Sequence, residues 1–393
     1  MRFTLRGARL VDATMDLAEG DITFDGVHIE QVGEKSATPG KVLDASQMIV
    51  MPGFIEVHTH GGGGCELHTT DAQHIHSYAR WAPSTGVTSF LTSVVGTPGA
   101  LPEAQLRTAV AAIEEGGPGA EILGIYLEGP YINVKRRGAH PPAWLRKPEP
   151  SETEYILDLT RGHLRLLTLA PELPDAHEMI KRLIEAGVTV SMGHTDATYE
   201  QAEEAIALGV THMTHCFNAM RPLLHRAPGP LAAVLQAPQV RGEVIADGVH
   251  VHPAMIRLLV KMLGPQRTVV ITDAQSCAGQ ENGATFEFAG QKAQVLCGAA
   301  YLADGTLTGS VLTMKQALCN MLEMAEVSLS EAVGMLTLNP AQAARADGRK
   351  GRLQAGYDAD LLIFDSSLNL QATLCQGQLT YANGPWSDSL RED

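Results

Sequence analysis

From residue 53 onward, short apolar runs alternate with longer stretches that have helical periodicity. In the stretches 179–186 and 199–208, for example, apolar residues recur at helical spacing. The eight apolar runs lie at 54–58, 88–94, 121–128, 164–170, 188–194, 210–217, 242–247 and 268–273. Eight successive strand–helix units predict an α/β fold of the (β/α)8 TIM barrel type. An open, doubly wound sheet is the alternative, but no GxGxxG motif follows the first run.

The two ends of the chain predict strands instead. Before the barrel, strands are expected at 3–10, 20–24 and 28–32, with Asp25-Gly26 as a hairpin turn. After it, strands are expected at 351–353, 360–364 and 374–381. We therefore predict one small β-sandwich domain from residues 1–52 and 346–393, beside a barrel of residues 53–345. A strand-like excursion at 286–307 precedes two helical stretches, and the pattern leaves open which domain contains it.

Composition excludes some classes of partner. The formal net charge of −15 disfavours non-specific binding to nucleic acid. No apolar run has the ~18 residues that a membrane-spanning helix needs, so no membrane association is expected. The six cysteines are scattered without a CxxC pair, which is typical of free thiols in a reducing compartment. With no signal-peptide pattern at the N-terminus, we expect a cytoplasmic protein.

Polar side chains capable of binding a metal stand at the ends of several predicted strands. The first run ends with His58 and His60, which alternation along a strand places on one side. Because all strand ends of a barrel converge on one face, distant residues can share one site. The other candidates are Glu128, His194, His215 and Asp273. Imidazole and carboxylate ligands without thiolate favour a catalytic Zn²⁺ or Fe²⁺ over a closed structural zinc.

Such a site predicts hydrolysis of an amide, a cyclic amide or a related C–N bond. A bound metal lowers the pKa of water toward 7 and polarises a carbonyl. Asp273 is the candidate that takes the water's proton and delivers it to the leaving nitrogen. Histidines away from the predicted strand ends are interpreted as surface or packing residues, and alternation predicts that His212 faces away from the site.

The segments around these residues resemble the amidohydrolase superfamily and, within it, the N-acetylglucosamine-6-phosphate deacetylase family. Residues 52–60 (PGFIEVHTH) resemble the superfamily in general. More specific segments are 127–133 (LEGPYIN), 138–140 (GAH), 168–172 (TLAPE), 193–199 (GHTDATY), 214–220 (THCFNAM), 225–229 (HRAPG), 246–250 (ADGVH), 272–274 (TDA), 305–310 (GTLTGS) and 339–341 (NPA). The resemblance extends through essentially the whole chain in order.

The resemblance implies a metal-dependent amidohydrolase barrel with defined ligands. It places Glu128, His194 and His215 around the main divalent ion and makes Asp273 the acid/base. The pair His58 and His60 implies room for a second ion, so one or two ions per subunit are expected. Zinc is the first choice, with iron, cobalt or manganese as alternatives.

The resemblance also implies a phosphorylated amino sugar as substrate and a homodimer as assembly. His140 corresponds to the histidine near the substrate carbonyl, so we expect it to assist catalysis. Arg226 and His250 correspond to phosphate-recognising cations, one of them supplied by the partner subunit. A guanidinium group can donate two charge-assisted hydrogen bonds to one phosphate. The remaining substrate-binding candidates are Ala139, Asn218, Ala219, Leu307, Thr308 and Gly309.

The implied reaction is hydrolysis of N-acetyl-D-glucosamine 6-phosphate to D-glucosamine 6-phosphate and acetate. Departures from the family pattern at 274–279, at the four glycines 61–64 and at Ala227 leave the sugar open. Deacetylation of N-acetylgalactosamine 6-phosphate is therefore an alternative. Cyclic-amide hydrolysis or deamination is another, although neither needs a phosphate clamp. A barrel without activity, kept as a binding protein, is disfavoured because no expected ligand is missing.

Overall fold

The computed structural model describes residues 2–33, 40–288, 290–384, 386 and 390. Parts of the predicted ranges 1–52, 286–307 and 346–393 lie outside these described residues. Within the described part of the chain, none of the helices is both long and apolar enough to cross a bilayer.

Both chain ends contribute to one eight-stranded sheet. Its N-terminal strands are β1 (Arg2–Asp12), β2 (Met15–Asp25), β3 (His28–Val32), β4 (Lys41–Asp44) and β5 (Met48–Pro52). β1 pairs with β2 antiparallel and with β4 and β5 in parallel, and β5 pairs with a strand from the C-terminal end of the chain. The turn between β2 and β3 at Asp25-Gly26 confirms the hairpin prediction, whereas β4 and β5 were not predicted.

The barrel follows directly. The next strands are β6 (Phe54–Glu56), β7 (Gly61–Gly62), β8 (Cys65–Glu66), β9 (Val87–Val94), β10 (Glu121–Glu128), β11 (Leu164–Leu169), β12 (Thr189–Met192), β13 (His212–Met213), β14 (Arg241–Ile245) and β15 (Thr268–Ile271). Eight of them form a parallel sheet in the order β6-β9-β10-β11-β12-β13-β14-β15, which confirms the predicted runs. Hydrogen bonds from Asp273 N to His58 O (2.9 Å) and from His60 N to Ala274 O (2.8 Å) close the gap between β15 and β6.

Helices cover the outside of the barrel because their apolar faces pack on its strands. They are α1 (Ala72–Trp81), α2 (Glu103–Glu115), α3 (Pro150–Thr160), α4 (Ala176–Glu185), α5 (Tyr199–Ala207), α6 (Gly229–Gln236), α7 (Pro253–Leu263), α8 (Met314–Met324), α9 (Leu329–Leu336) and α10 (Leu338–Ala343). The barrel and its helices share one large apolar cluster, and the chain-end sheet has a second one.

The excursion forms a sheet of its own. Its strands are β16 (Thr285–Phe288), β17 (Gln291–Leu296), β18 (Ala299–Leu302) and β19 (Leu307–Ser310), paired antiparallel in that order. A bridge from Ala274 to Ser310 attaches this sheet to the chain just after β15. The excursion therefore lies at the carboxyl-end face of the barrel and takes no part in the chain-end sheet.

The C-terminal strands are β20 (Leu361–Asp365), β21 (Leu370–Cys375) and β22 (Gln378–Ala382). The single strand predicted at 374–381 is wrong, because a turn at Gln376-Gly377 divides that segment into β21 and β22. The strand predicted at 351–353 is also wrong. There the backbone N–H of Leu353 donates to the side chain of Asp12 (3.0 Å) and not to a neighbouring strand.

A buried lysine connects the chain-end sheet to the barrel. Lys350 is 1% exposed and lies 2.9 Å from Glu121 of β10, 2.8 Å from Asp358 and 2.5 Å from Asp360. Burial lowers the pKa of Lys350, but the three carboxylates outweigh it and raise the pKa above its usual value. A buried charge is tolerated only when it is paired in this way. The cluster thus secures the amino-terminal end of β10, far from its carboxyl end at Glu128.

Candidate metal centre and active site

A cavity of about 220 Å³ opens at the carboxyl ends of the barrel strands. Its polar floor comes from the ends of β10 and β12 and from the segments after β13 and β15, and its wall includes residues of β16 and β19. The lining residues are His60, Glu128, Gly138, Ala139, His140, His194, His215, Asn218, Ala219, His250, Asp273, Gln275, Phe288, Thr306, Leu307, Thr308 and Gly309. Nine short segments of the chain therefore meet at one site.

Glu128, His194 and His215 form the first of two groups with metal-binding geometry. Glu128 Oε1 lies 3.1 Å from His194 Nε2 and 3.3 Å from His215 Nε2, and the two Nε2 atoms are 3.0 Å apart. His194 Nδ1 lies 2.9 Å from the carbonyl oxygen of Arg136, which accepts the ring proton there and leaves the lone pair on Nε2. The Nε2 atoms of both rings and one carboxylate oxygen thus face one point.

His58, His60 and Asp273 form the second group. Asp273 Oδ1 lies 3.1 Å from His60 Nε2 and 3.5 Å from His58 Nε2. The two groups adjoin at Glu128, whose Oε1 is 3.5 Å from His58 Nε2 and whose Oε2 is 3.2 Å from His60 Nε2. An ion held by either group would therefore have an oxygen of Glu128 nearby.

The backbone at the ligand positions is strained. His194, His215 and Asp273 have φ values of 46°, 26° and 48°, which non-glycine residues rarely adopt. Such outliers persist only where the surrounding structure enforces them, and they cluster at functional sites. Gly193 contributes to this placement, since a Cβ atom there would lie 2.1 Å from Thr214 Cγ2. Glycine thus permits the close strand approach that sets His194 beside His215.

The residues fit a divalent metal. His58 Nε2 is fully buried, points at the carboxylates and has no hydrogen bond among the described residues. A buried polar atom without a partner is costly, and a metal ion would satisfy it. The donor set of imidazoles and carboxylates, with no cysteine thiolate, suits Zn²⁺ or another first-row ion in a catalytic site. This geometry therefore supports a metal-dependent site.

Burial and neighbouring charged groups shift the pKa values of the side chains in the site in opposite directions. Burial raises the pKa of Glu128, but the charge of His58 and hydrogen bonds from other histidines hold the pKa well below its usual value. Burial likewise raises the pKa of Asp273, and His58 and His60 outweigh it, so that the pKa is lowered. Burial lowers the pKa of His140 despite its bond to Glu128. At neutral pH both carboxylates are therefore ionised and His140 is uncharged.

The predicted phosphate-binding residues occupy different places. His250 lies in the cavity wall, with Nδ1 2.6 Å from Asp247 Oδ2. Burial lowers the pKa of His250, but the bond to Asp247 and nearby negative charge raise it overall, which favours a cationic ring. Arg226 is exposed on the loop before α6 and does not line the cavity of its own subunit. The cavity is lined by the other predicted substrate-binding residues, Asn218, Ala219, Leu307, Thr308 and Gly309.

Sequence reasoning missed several residues of the site. Glu243 of β14 is fully buried and lies 2.9 Å from His58 Nδ1; a lone carboxylate inside an apolar run was the available signal. The cavity is also lined by Gln275, Phe288 and Thr306; Thr306 directly precedes the predicted Leu307, whereas no pattern predicts Gln275 or Phe288. The prediction that His212 faces away is wrong, since its Nε2 lies 2.9 Å from Glu243. The prediction assumed that side chains alternate along one strand from His212 to His215. In the structure β13 ends at Met213, and His215 has a positive φ.

Comparisons with known proteins agree with this geometry. The sequence profile of the amidohydrolase family matches residues 49–383. An N-acetylgalactosamine-6-phosphate deacetylase from Escherichia coli O157:H7 is 36% identical over 380 residues, which are 96% of this chain and 99% of the relative. The N-acetylglucosamine-6-phosphate deacetylase of Homo sapiens is 38% identical over 352 residues, covering 86% of this chain and 85% of the relative.

Solved structures give the same answer. A mutant N-acetyl-D-glucosamine-6-phosphate deacetylase from Mycobacterium smegmatis, in complex with N-acetyl-D-glucosamine-6-phosphate, is 33% identical to this chain. It superposes with a TM-score of 0.90, covering 97% of this chain and 99% of that one. The metal-ligand geometry, the family profile and these full-length similarities lead to one conclusion: the chain belongs to the amidohydrolase family and, within it, to the N-acetylglucosamine-6-phosphate deacetylases and their relatives.

Proposed function

We propose that this protein hydrolyses the N-acetyl group of N-acetyl-D-glucosamine 6-phosphate, giving D-glucosamine 6-phosphate and acetate. The observation that carries the proposal is one cavity that joins two groups of metal ligands to a histidine suited to phosphate. Glu128, His60 and Asp273 stand at its floor, and His250 with its Asp247 partner stands in its wall. The relatives that resemble the chain over its full length are deacetylases of such sugar phosphates.

Each side chain has a task that follows from its position. A divalent ion held by the site lowers the pKa of water and polarises the acetyl carbonyl. Asp273, ionised and 13% exposed to the cavity, takes the proton of the attacking water and gives it to the departing amine. His140 Nε2 lies 3.5 Å from Glu128 Oε2, a long contact, and in the substrate complex the single N–H of the neutral ring donates instead to the carbonyl oxygen as negative charge develops there.

We infer that the site holds two ions, one at each ligand group, with Glu128 between them. Zinc suits the donor set, and iron, cobalt or manganese are the alternatives.

All six cysteines are free thiols in the structure, which supports our proposal of a cytoplasmic enzyme.

We propose that the protein is a homodimer in which Arg226 serves the partner's cavity. Arg226 is exposed outside its own cavity, and Leu223 and Leu224 on the same loop are 40% and 55% exposed. Mixing Arg226→Ala with Asp273→Asn subunits tests this arrangement. If Arg226 acts across the interface, mixed dimers regain one intact site and therefore activity at low substrate concentration. Absence of any recovery in dimers shown to be mixed contradicts the arrangement.

Deacetylation of N-acetylgalactosamine 6-phosphate is a second candidate. The Escherichia coli O157:H7 relative named for that reaction is 36% identical and matches 99% of its own length. The two sugars differ only in the configuration at one hydroxyl group, so both place the acetyl group and phosphate alike.

Release of primary amine from both sugar phosphates and from unphosphorylated N-acetylglucosamine tests the proposed function. We expect rapid turnover only with a phosphorylated sugar. His250→Ala should lower kcat/KM for that sugar by about 10–100-fold, the effect of losing one hydrogen bond to a charged group. It should leave the unphosphorylated sugar unaffected. No turnover of any of the three by metal-loaded protein would exclude the proposed substrate class.

A further inference from the structure

Glu243 is a carboxylate in the middle of β14, beneath the floor of the active-site cavity. Its side chain is completely buried, and the apolar residues Val244 and Ile245 follow it along the strand. It does not line the cavity and therefore contacts neither substrate nor the point where the metal ligands converge. A buried carboxylate needs several donors to offset the loss of water, and the identity of those donors suggests what it does.

The donors to Glu243 come from two other strand ends of the barrel. Oε2 lies 2.9 Å from His58 Nδ1 and accepts hydrogen bonds from Thr214 Oγ1 at 2.6 Å and from the backbone N–H of His215 at 3.2 Å. Oε1 lies 2.9 Å from His212 Nε2. One carboxylate thus joins the end of β6 to β13 and the residues that follow it.

The contact with His58 determines which nitrogen of that ring is available. In the neutral form of the ring, which is the form that binds a metal, the carboxylate accepts the Nδ1 proton and the lone pair stays on Nε2. His58 Nε2 is the buried atom without a hydrogen bond, 3.5 Å from both Glu128 Oε1 and Asp273 Oδ1. A carboxylate behind a ligand histidine also raises the basicity of the ring and fixes its orientation.

His60 lacks such support. Its Nδ1 is buried and has no hydrogen-bond partner in the described part of the chain. The second ligand group therefore consists of His58, whose Nδ1 is anchored by a carboxylate, and His60, whose Nδ1 has no such acceptor among the described residues. Support for the imidazoles of this group from behind the ligands thus comes through Glu243 and His58.

We propose that Glu243 is a positioning residue that holds His58 in the tautomer and orientation required to bind a metal ion. Occupancy of the group formed by His58, His60 and Asp273 then depends on a residue that touches neither metal nor substrate. The inference rests on the metal centre proposed above, and its test measures metal affinity and not deacetylation, so that either idea can fail without the other.

A purely structural role for Glu243 is the competing explanation, and Glu56 is the matched control for it. Glu56 of β6 is 1% exposed and also accepts hydrogen bonds at the floor of the barrel. Its donors are backbone N–H groups, those of His58 at 3.1 Å and Thr272 at 3.2 Å. Glu56→Gln thus alters a buried glutamate beside the same ligand without touching an imidazole ring.

The experiment titrates metal-free protein with Zn²⁺ against a chelator of known affinity and counts ions per subunit by mass spectrometry. We expect Glu243→Gln to weaken the second ion by about 10–100-fold, as for other partners of ligand histidines. Glu56→Gln should bind it like the wild type. Glu243→Asp retains the charge but shortens the reach to His58, so it should also weaken the second ion and serves if the glutamine variant does not fold.

A double-mutant cycle separates positioning from general damage. In a His58→Asn background, Glu243→Gln should have no further effect on Zn²⁺ affinity, because the ring through which it acts is gone. Wild-type affinity in the single variant, or an equal additional loss in the His58→Asn background, would overturn the proposal. A protein that holds a single ion unaffected by Glu243→Gln would also overturn it, while leaving the deacetylation proposal intact.

Discussion

Replacement of Asp273 by asparagine is expected to lower kcat by about 10²–10⁴-fold, the usual contribution of a positioned general acid–base. The amide keeps the size of the carboxylate and an oxygen that faces His60, but it cannot take the proton of water or return it to the amine. If Glu128, His194 and His215 hold an ion as proposed, it should remain, because Asp273 does not belong to that group. Steady-state kinetics and metal analysis of the same preparation measure both effects.

Whether KM changes together with kcat in Asp273→Asn shows if Asp273 acts in proton transfer or in substrate binding. If Asp273 acts only in proton transfer, KM for the sugar phosphate should change little and the loss should fall on kcat. Asp247→Asn is a useful companion variant, since it alters the carboxylate that pairs with His250; if His250 binds the phosphate, the substitution should act mainly on KM. Near-normal kcat in Asp273→Asn protein free of wild-type enzyme would show that the proton is carried by another group.

Replacement of Glu128 by glutamine is expected to remove metal from both ligand groups. Its Oε1 faces His194 and His215, and its Oε2 faces His60 at 3.2 Å. The amide loses the negative charge and turns an NH2 group toward one of the two metal positions. Metal affinity should fall by more than ~100-fold, the upper effect of removing a group that merely supports a ligand, and turnover should fall with it.

A control for Glu128→Gln lies at the opposite end of β10. Glu121 begins β10 and pairs with Lys350 and Arg349, far from the cavity. Glu121→Gln should reduce the free energy of unfolding by breaking those ion pairs, yet it should leave metal content and kcat unchanged. If Glu128→Gln protein still binds metal like the wild type, Glu128 is not a ligand, and His194 and His215 must bind with another partner.

Much of the fold was predictable because the barrel repeats a local pattern. A parallel strand covered on both faces is an apolar run, and each of the eight predicted runs overlaps a barrel strand. The position of the strand-like excursion was harder to predict, since a short antiparallel sheet has the same sequence pattern wherever it packs. Its contribution to the site, for example Phe288 at 6.1 Å from His60 between ring centroids, depends on contacts with residues more than 200 positions away.

The sequence by itself determined the strand order, the ligand types and their place at strand ends, because periodicity and side-chain chemistry are local properties. Only the tertiary structure decided that Asp273 joins His58 and His60 in the second ligand group, that Glu243 supports His58, and that Arg226 lies outside its own cavity. His58 and Glu243 are 185 residues apart. Their contact exists only because the barrel closes, and distances across a closed barrel are not encoded in any single segment.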